Sequence, residues 1–286
     1  MTRLVIAGLV ALYGAGISVA QDWSPGQAPL MSRFAKDVSP DKVHPEYPRP
    51  QMTRPDWQNL NGLWDYAVQD KAASAPSAWQ GKILVPFPIE SALSGVTKRV
   101  SEEQRLWYRR SFELPAGWAG KRVMLNFGAV DWQTTVCVNG KEVGTHQGGY
   151  DPFSFDITDA LKSGANELTV AVWDPTDAGY QPRGKQVRNP RGIWYTPITG
   201  IWQTVWLEPV AAGGIECLKI VPDVDAGCVR VTVQALGQGD ATAELQALDG
   251  EKSVAAASGA AGSEIKLPIA DAKLWSPDSP FMYDLK

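Results

Sequence analysis

Histidine and cysteine are both scarce, with 2 His and 3 Cys in 286 residues. His44 and His146 lie far apart and without ligand-like spacing, which argues against a zinc site. No Gly-x-Ser-x-Gly elbow occurs, so a Ser nucleophile of that type is excluded. No phosphate loop is present; Gly14-Ala15-Gly16 sits in an N-terminal apolar stretch and is noise. No dense Lys/Arg run exists and the net charge is −4, so a nucleic-acid partner is not expected. Asn-x-Ser/Thr acceptor sites are absent, and nothing points to N-glycosylation. Helical periodicity is almost missing. No cofactor and no resident metal are implied.

What is abundant is tryptophan: 12 Trp, with 27 Gly and 21 Pro. Hydrophobic residues make up 44% and charged residues 20%, enough for a packed core. Large flat aromatics and many turn residues favour an all-β protein, with Trp either in the core or stacking on sugars.

Residues 1–20 read as a secretory signal. Arg3 gives a positive start, Leu4–Ile17 carries no charge, and Ser18-Val19-Ala20 is a small-x-small cleavage site. The apolar stretch is short and broken by glycine, which disfavours a membrane anchor. The expected location is periplasmic or extracellular, with no membrane span after cleavage. Residues 21–50 form an extended, Pro-rich leader.

From Gln51 the pattern alternates. Strands are expected at Leu63–Val68, Lys82–Pro86, Leu106–Leu114, Arg122–Phe127, Gln133–Val138, Lys141–His146, Asn166–Trp173 and Ile201–Leu207. Asn139-Gly140 between two of them signals a tight hairpin. Asp56–Leu60 is expected to form one helical turn, and Thr158–Lys162 a capped one. Alternation along Ile201–Leu207 puts Trp202, Thr204 and Trp206 on one face, with Trp202 and Trp206 in the core. After Pro209 the texture changes. Residues 210–286 hold more Ala and Gly, with strands at Glu216–Val221, Val229–Ala235, Ala243–Leu248 and Ser263–Leu267. Met282–Leu285 reads as a strand interrupted in mid-run. Cys137 sits in an alternating strand and is expected to be a buried free thiol. Cys217 and Cys228 are candidates for a disulfide. Asp151, Asp156 and Asp159 cluster as calcium ligands would. Satisfying turn and cap N–H groups is the role expected of Asp156 and Asp159.

The stretches Trp107–Phe112, Phe127–Trp132, Val138–Val143, Gly148–Thr158 and Gly200–Glu208 together resemble the N-terminal sugar-binding domain of glycoside hydrolase family 2. That family includes β-galactosidases, β-glucuronidases and β-mannosidases. The resemblance covers residues 51–209. Residues 210–286 are similar to its second, immunoglobulin-like domain, with Leu274–Pro280 similar to a segment near that domain's end. The fold implied is all-β: a jelly-roll sandwich over 51–209, then an incomplete, C-terminally truncated immunoglobulin-like sandwich over 210–286.

The family's catalytic glutamates stand on a (β/α)₈ barrel of roughly 200 residues or more. No catalytic residue can therefore be carried over to this chain. Glu102-Glu103 reads as solvated surface. The resemblance implies the non-catalytic N-terminal portion of an exported β-galactosidase-like hydrolase whose partners are a glycan substrate and the barrel. The alternative is a stand-alone carbohydrate-binding protein. The sequence does not give the oligomeric state. One loop of the family's first domain reaches the active site, often with an Asp seven residues before the Ile of its Gly-Ile motif; here Trp194 stands there. That loop, Asp174–Pro197, supplies Asp177, Arg183, Lys185, Gln186 and Arg188 as polar candidates, with Trp194 and Tyr195 as stacking surfaces.

Overall fold

A computed structural model describes residues 23–28, 30–211, 213–237 and 240–286. The expected signal segment, 1–20, lies outside the described residues. No described helix is long and apolar enough to cross a membrane.

The first half runs through β1 (Gln58–Asn59), β2 (Gly62–Asp70), β3 (Gly81–Val85), β4 (Gln104–Phe112), β5 (Arg122–Phe127) and β6 (Val130–Asp131). It continues through β7 (Gln133–Val138), β8 (Lys141–Gln147), β9 (Phe153–Asp156), β10 (Asn166–Trp173), β11 (Gly200–Ile201) and β12 (Val205–Val210). A sheet ordered β1-β12-β5-β9 faces one ordered β3-β2-β4-β10-β7-β8, and β11-β6 forms a short third sheet. All these pairings are antiparallel.

Alternation builds the core. Val123, Leu125 and Phe127 of β5 face Leu106, Tyr108 and Phe112 of β4 and Leu168, Val170 and Val172 of β10 in one buried cluster with Trp64. On the opposite face of the larger sheet, Trp107 packs on Ala67, Ala171 and Trp79. The Asn139-Gly140 turn takes positive φ at both residues (52° and 79°), as a two-residue hairpin requires. The Asn139 side chain donates to Ala160 O at 2.8 Å and accepts from Glu167 N at 3.0 Å, tying the hairpin to β10.

Two expectations change here. Asp56–Leu60 is not helical, because Gln58 and Asn59 pair with Leu207 and Trp206. Ile201–Leu207 is two strands rather than one. Between them Trp202 N and Gln203 N both turn to Ala129 O, at 3.2 and 3.4 Å. The alternation survives the break, with Ile201 on the same face as Val205 and Leu207. Val205 and Leu207 point into the core, while Trp206 is buried outside it and Trp202 is half-buried.

Trp206 is buried because the leader covers it. Glu208, 1% exposed, accepts from Tyr47 Oη (2.6 Å), Arg49 Nη1 (2.7 Å) and Trp206 Nε1 (2.6 Å). Arg54 Nε stands 2.9 Å from the same carboxylate, off the N–H axis, as an ionic contact. Asn59 and Asn61 side chains bond to the carbonyls of His44 (2.7 Å) and Val43 (3.2 Å). The leader is irregular yet packed.

The second half has β13 (Ile215–Asp223), β14 (Cys228–Ala235), β15 (Thr242–Asp249), β16 (Lys252–Ala260), β17 (Glu264–Pro268) and β18 (Asp284–Leu285). Its sheets are β13-β14-β17 and β16-β15-β18. Cys217 and Cys228 are both free. Cys217 lies opposite Gln234 and Cys228 opposite Asp223, at opposite ends of the β13–β14 ladder. Six residues of strand separate them, roughly 20 Å, far beyond the reach of a disulfide.

Among the described residues, the buried core cluster of this sandwich is small: Val231, Val233, Leu245, Ala247, Ile265 and Leu267. Burial of apolar area is the main stabilising contribution. Hydrogen exchange is therefore expected to open β14 and β15 before β4 and β10. Equal protection in both sandwiches would contradict this.

Candidate functional site

The connection from β10 to β11 leaves the end of the larger sheet and returns over it. It is long, and long ordered loops tend to be functional. Asp174, 2% exposed, opens it with a turn: Oδ1 accepts Thr176 N at 2.7 Å, and Oδ2 accepts Thr199 Oγ1 at 2.8 Å. The first and last residues of the loop are thus tied through one carboxylate.

Gln186, also 2% exposed, is the second tie. Its Nε2 donates to Asp131 Oδ2 at 3.1 Å, and its Oε1 accepts Ile198 N at 2.6 Å. Tyr150 Oη lies 3.4 Å from the same Nε2. From the turn after β3, Glu90 Oε2 accepts Thr199 N at 2.9 Å. Inside the loop, Val187 N donates to Tyr195 O and Tyr195 N to Lys185 O, both at 3.1 Å, a short parallel bridge. Gly184 (φ 60°) sits beneath it, where a Cβ would lie 2.7 Å from Tyr195 Oη.

A third tie is ionic. Arg188 Nε meets Asp177 Oδ1 at 2.7 Å, and Arg188 Nη1 meets Glu102. Glu102 is therefore no bystander of solvent: a cation brought from far along the chain recruits it. Burial pushes Asp177 up, but the bonds and charge of the Arg188 guanidinium together hold it below the usual carboxylate range. Arg99 Nη1 adds a bond to Arg188 O at 2.7 Å.

The electrostatics of the buried ties run the other way. Burial, then the neighbouring Asp174, push Asp131 up to about 7, against the Gln186 bond. Burial pushes Glu90 up to about 7 despite its bond from Thr199. Burial also raises Asp174. Among the described residues, none of these three carboxylates has a salt-bridge partner.

The sequence candidates thus separate into two sets. Asp177, Arg183, Gln186 and Arg188 are engaged within the loop and its supports, Arg183 Nε donating to Gln186 O at 3.0 Å. Trp194 (40% exposed) and Tyr195 (47%) face outward, with Tyr180 and Ile193. Glu90, Asp131 and Tyr150 escape a reading of the loop alone, because they arrive from other segments, and Thr199 lies just beyond the stretch 174–197. Asp131 stands in one family-like motif and Tyr150 in another, and that was the only signal for them.

Asp156 accepts from Thr158 N at 3.0 Å and pairs with Arg122 at 2.7 Å, a turn-capping role. Among the described residues no group of three or more His, Cys, Asp or Glu is arranged to hold a metal ion. A cleft of about 870 Å³ lies between the leader, the outer face of β5 and β12, and β13. Its deepest polar groups, Arg49, Arg54 and Glu208, are already committed to one another.

Residues 81–207 match the family model described as glycosyl hydrolases family 2, sugar binding domain. A β-glucuronidase from Paenibacillus borealis is 26% identical over 261 residues, covering 84% of this chain and 43% of that protein. A β-galactosidase from Thermoanaerobacter pseudethanolicus is 35% identical over 119 residues, covering 41% of this chain and 15% of that protein. The solved β-glucuronidase of Faecalibacterium prausnitzii superposes with a TM-score of 0.60 at 26% identity, covering 85% of this chain and 45% of that one. The chain spans less than half the length of these relatives.

Proposed function

We propose, from the match of residues 81–207 to the sugar binding domain of glycosyl hydrolases family 2, that the chain is the non-catalytic N-terminal portion of an exported β-glycosidase. Its task is to present one wall of a glycan site whose catalytic carboxylates stand elsewhere. The observation that carries this reading is the Asp174–Thr199 connection, tied at both ends and in the middle yet exposing Trp194 and Tyr195. Aromatic faces of that kind stack on sugar C–H surfaces.

Two substrate classes compete. The β-galactoside reading is supported by a match over 119 residues. Matches to β-glucuronidases extend over 81–84% of the chain. Lys185 and Arg191 adjoin Tyr195 and Trp194 in the loop and suit a uronate carboxylate. A β-glucuronide is the substrate class we adopt. Trp194 in place of an Asp means that recognition at this point is by stacking rather than by a carboxylate.

Expression of the 286-residue chain with its N-terminal segment tests these points together. The exported protein is expected to begin at Gln21 by mass spectrometry. It should show no turnover of 4-nitrophenyl β-D-glucuronide or β-D-galactoside. Retention of the uncleaved chain in the cytoplasm would refute export, and multiple turnovers by this chain would refute the non-catalytic role. A stand-alone binding protein would instead hold a glucuronide-bearing glycan at millimolar affinity or better without any further domain.

A further inference from the structure

We infer that Asp131 and Gln186 are positioning residues for the exposed aromatics of the loop: the chain Asp131 carboxylate–Gln186 carboxamide–Ile198 N–H fixes where Trp194 and Tyr195 stand. What those aromatics meet rests on the glycan reading above; how they are held does not.

The geometry is specific. Gln186 pairs with Tyr195 as a parallel bridge, so displacing the Gln186 backbone displaces Tyr195. The Gln186 side chain is fixed at both ends, by Asp131 at 3.1 Å and by Ile198 N at 2.6 Å. Its two anchors stand on either side of the aromatics, one on β6 and one just before β11. Being 2% exposed, the carboxamide has no water to replace a lost partner.

The clasp is also sensitive to protons. Asp131 faces Gln186, Asp174 and the Tyr150 hydroxyl. Asp174 in turn faces Thr199, Thr176, Glu90 and Asp177. Glu90 faces Thr199, Asp174 and the Tyr108 hydroxyl. Tyr195 stands within electrostatic reach of Tyr150. As pH rises through about 7, Asp131 and Glu90 both acquire charge beside Asp174. An open loop lets water reach these groups, so the closed loop binds more protons than the open one. Loop opening is therefore favoured as pH rises.

Amide hydrogen exchange on the full 286-residue chain, corrected for intrinsic rates and run from pH 5 to 8, reads this directly. The probes are Val187, Tyr195 and Ile198; Leu168–Val172 of β10 are the reference. Asp131→Ala and Gln186→Ala are each expected to speed exchange at the probes about tenfold or more, leaving β10 unchanged. Asp131→Asn keeps an acceptor for Gln186. It is expected to hold the probes near wild-type protection at pH 5 and to flatten their loss of protection toward pH 8. Probe amides that ignore Asp131→Ala and Gln186→Ala would overturn the assignment. So would an Asp131→Asn chain whose pH profile parallels the wild type. If an alanine variant loosens β10 as well, the Asp131→Asn profile decides alone. No sugar is present in the measurement, so its result is independent of whether the loop meets a glycan.

Discussion

Glu208→Ala is expected to cost about 3–5 kcal/mol of folding stability and to release Tyr47–Arg54 from the sheet. The carboxylate is 1% exposed and collects Tyr47, Arg49, Arg54 and Trp206. Burial alone would raise its pKa, yet the bonds from Tyr47, Arg49 and Trp206 hold it below the usual range. Removing it strands two partly buried guanidinium groups, 25% and 17% exposed, without their counter-charge. An unpaired buried charge costs far more than the pair gains over an apolar substitute. Urea midpoints and protease cutting between residues 47 and 54 measure the two effects. A loss under about 0.5 kcal/mol, the range of a neutral surface change, would show that the leader is held by other contacts.

Neutralising Asp131 and Glu90 together, as Asp131→Asn with Glu90→Gln, is expected to stabilise the chain at pH 8 and to change little near pH 4. Both carboxyls sit at about 7 in the folded chain, above their ordinary values of 3.8 and 4.5. The folded state thus keeps protons that the unfolded chain releases between about pH 4 and 7. Stability from these two groups is fullest at low pH and falls as pH rises through that window. Each pKa unit corresponds to about 1.4 kcal/mol, so the combined penalty at pH 8 is on the order of several kcal/mol. Weaker amide acceptors for Gln186 and Thr199 take back about 1 kcal/mol each. Asp156 and Glu208, with lowered pKa values, oppose this trend only in stronger acid. The best stability is therefore expected on the mildly acidic side of neutrality. Parallel stability profiles for wild type and double variant between pH 4 and 8 would falsify the account.

Most strands were legible because their large apolar residues alternate. Arg122–Phe127 and Asn166–Trp173 match residue for residue. Lys252–Ala260 was not legible: Ala, Ser and Gly fill a strand whose burial pattern is mostly exposed, so no apolar period marks it. Trp206 was assigned correctly as buried but to the wrong face. Alternation groups Trp202, Thr204 and Trp206 on one face without saying which face looks inward; Ile201, Val205 and Leu207 take the core, and the leader covers Trp206 from outside. Gln186 was visible as a polar loop residue, whereas its burial was not. Its partner Asp131 lies 55 positions away in the chain, and only the fold sets them side by side.

The tied loop has a thermodynamic consequence for recognition. A free segment loses conformational entropy when a ligand orders it, about 1–2 kcal/mol for each backbone residue fixed. Between Asp174 and Thr199 the bonds to Gln186, Ile198 and Thr199 impose that loss during folding. On the glycan reading proposed above, a sugar arriving at Trp194 and Tyr195 would meet a surface already ordered. Its affinity then reports contact and desolvation, with little drawn off to organise the receptor.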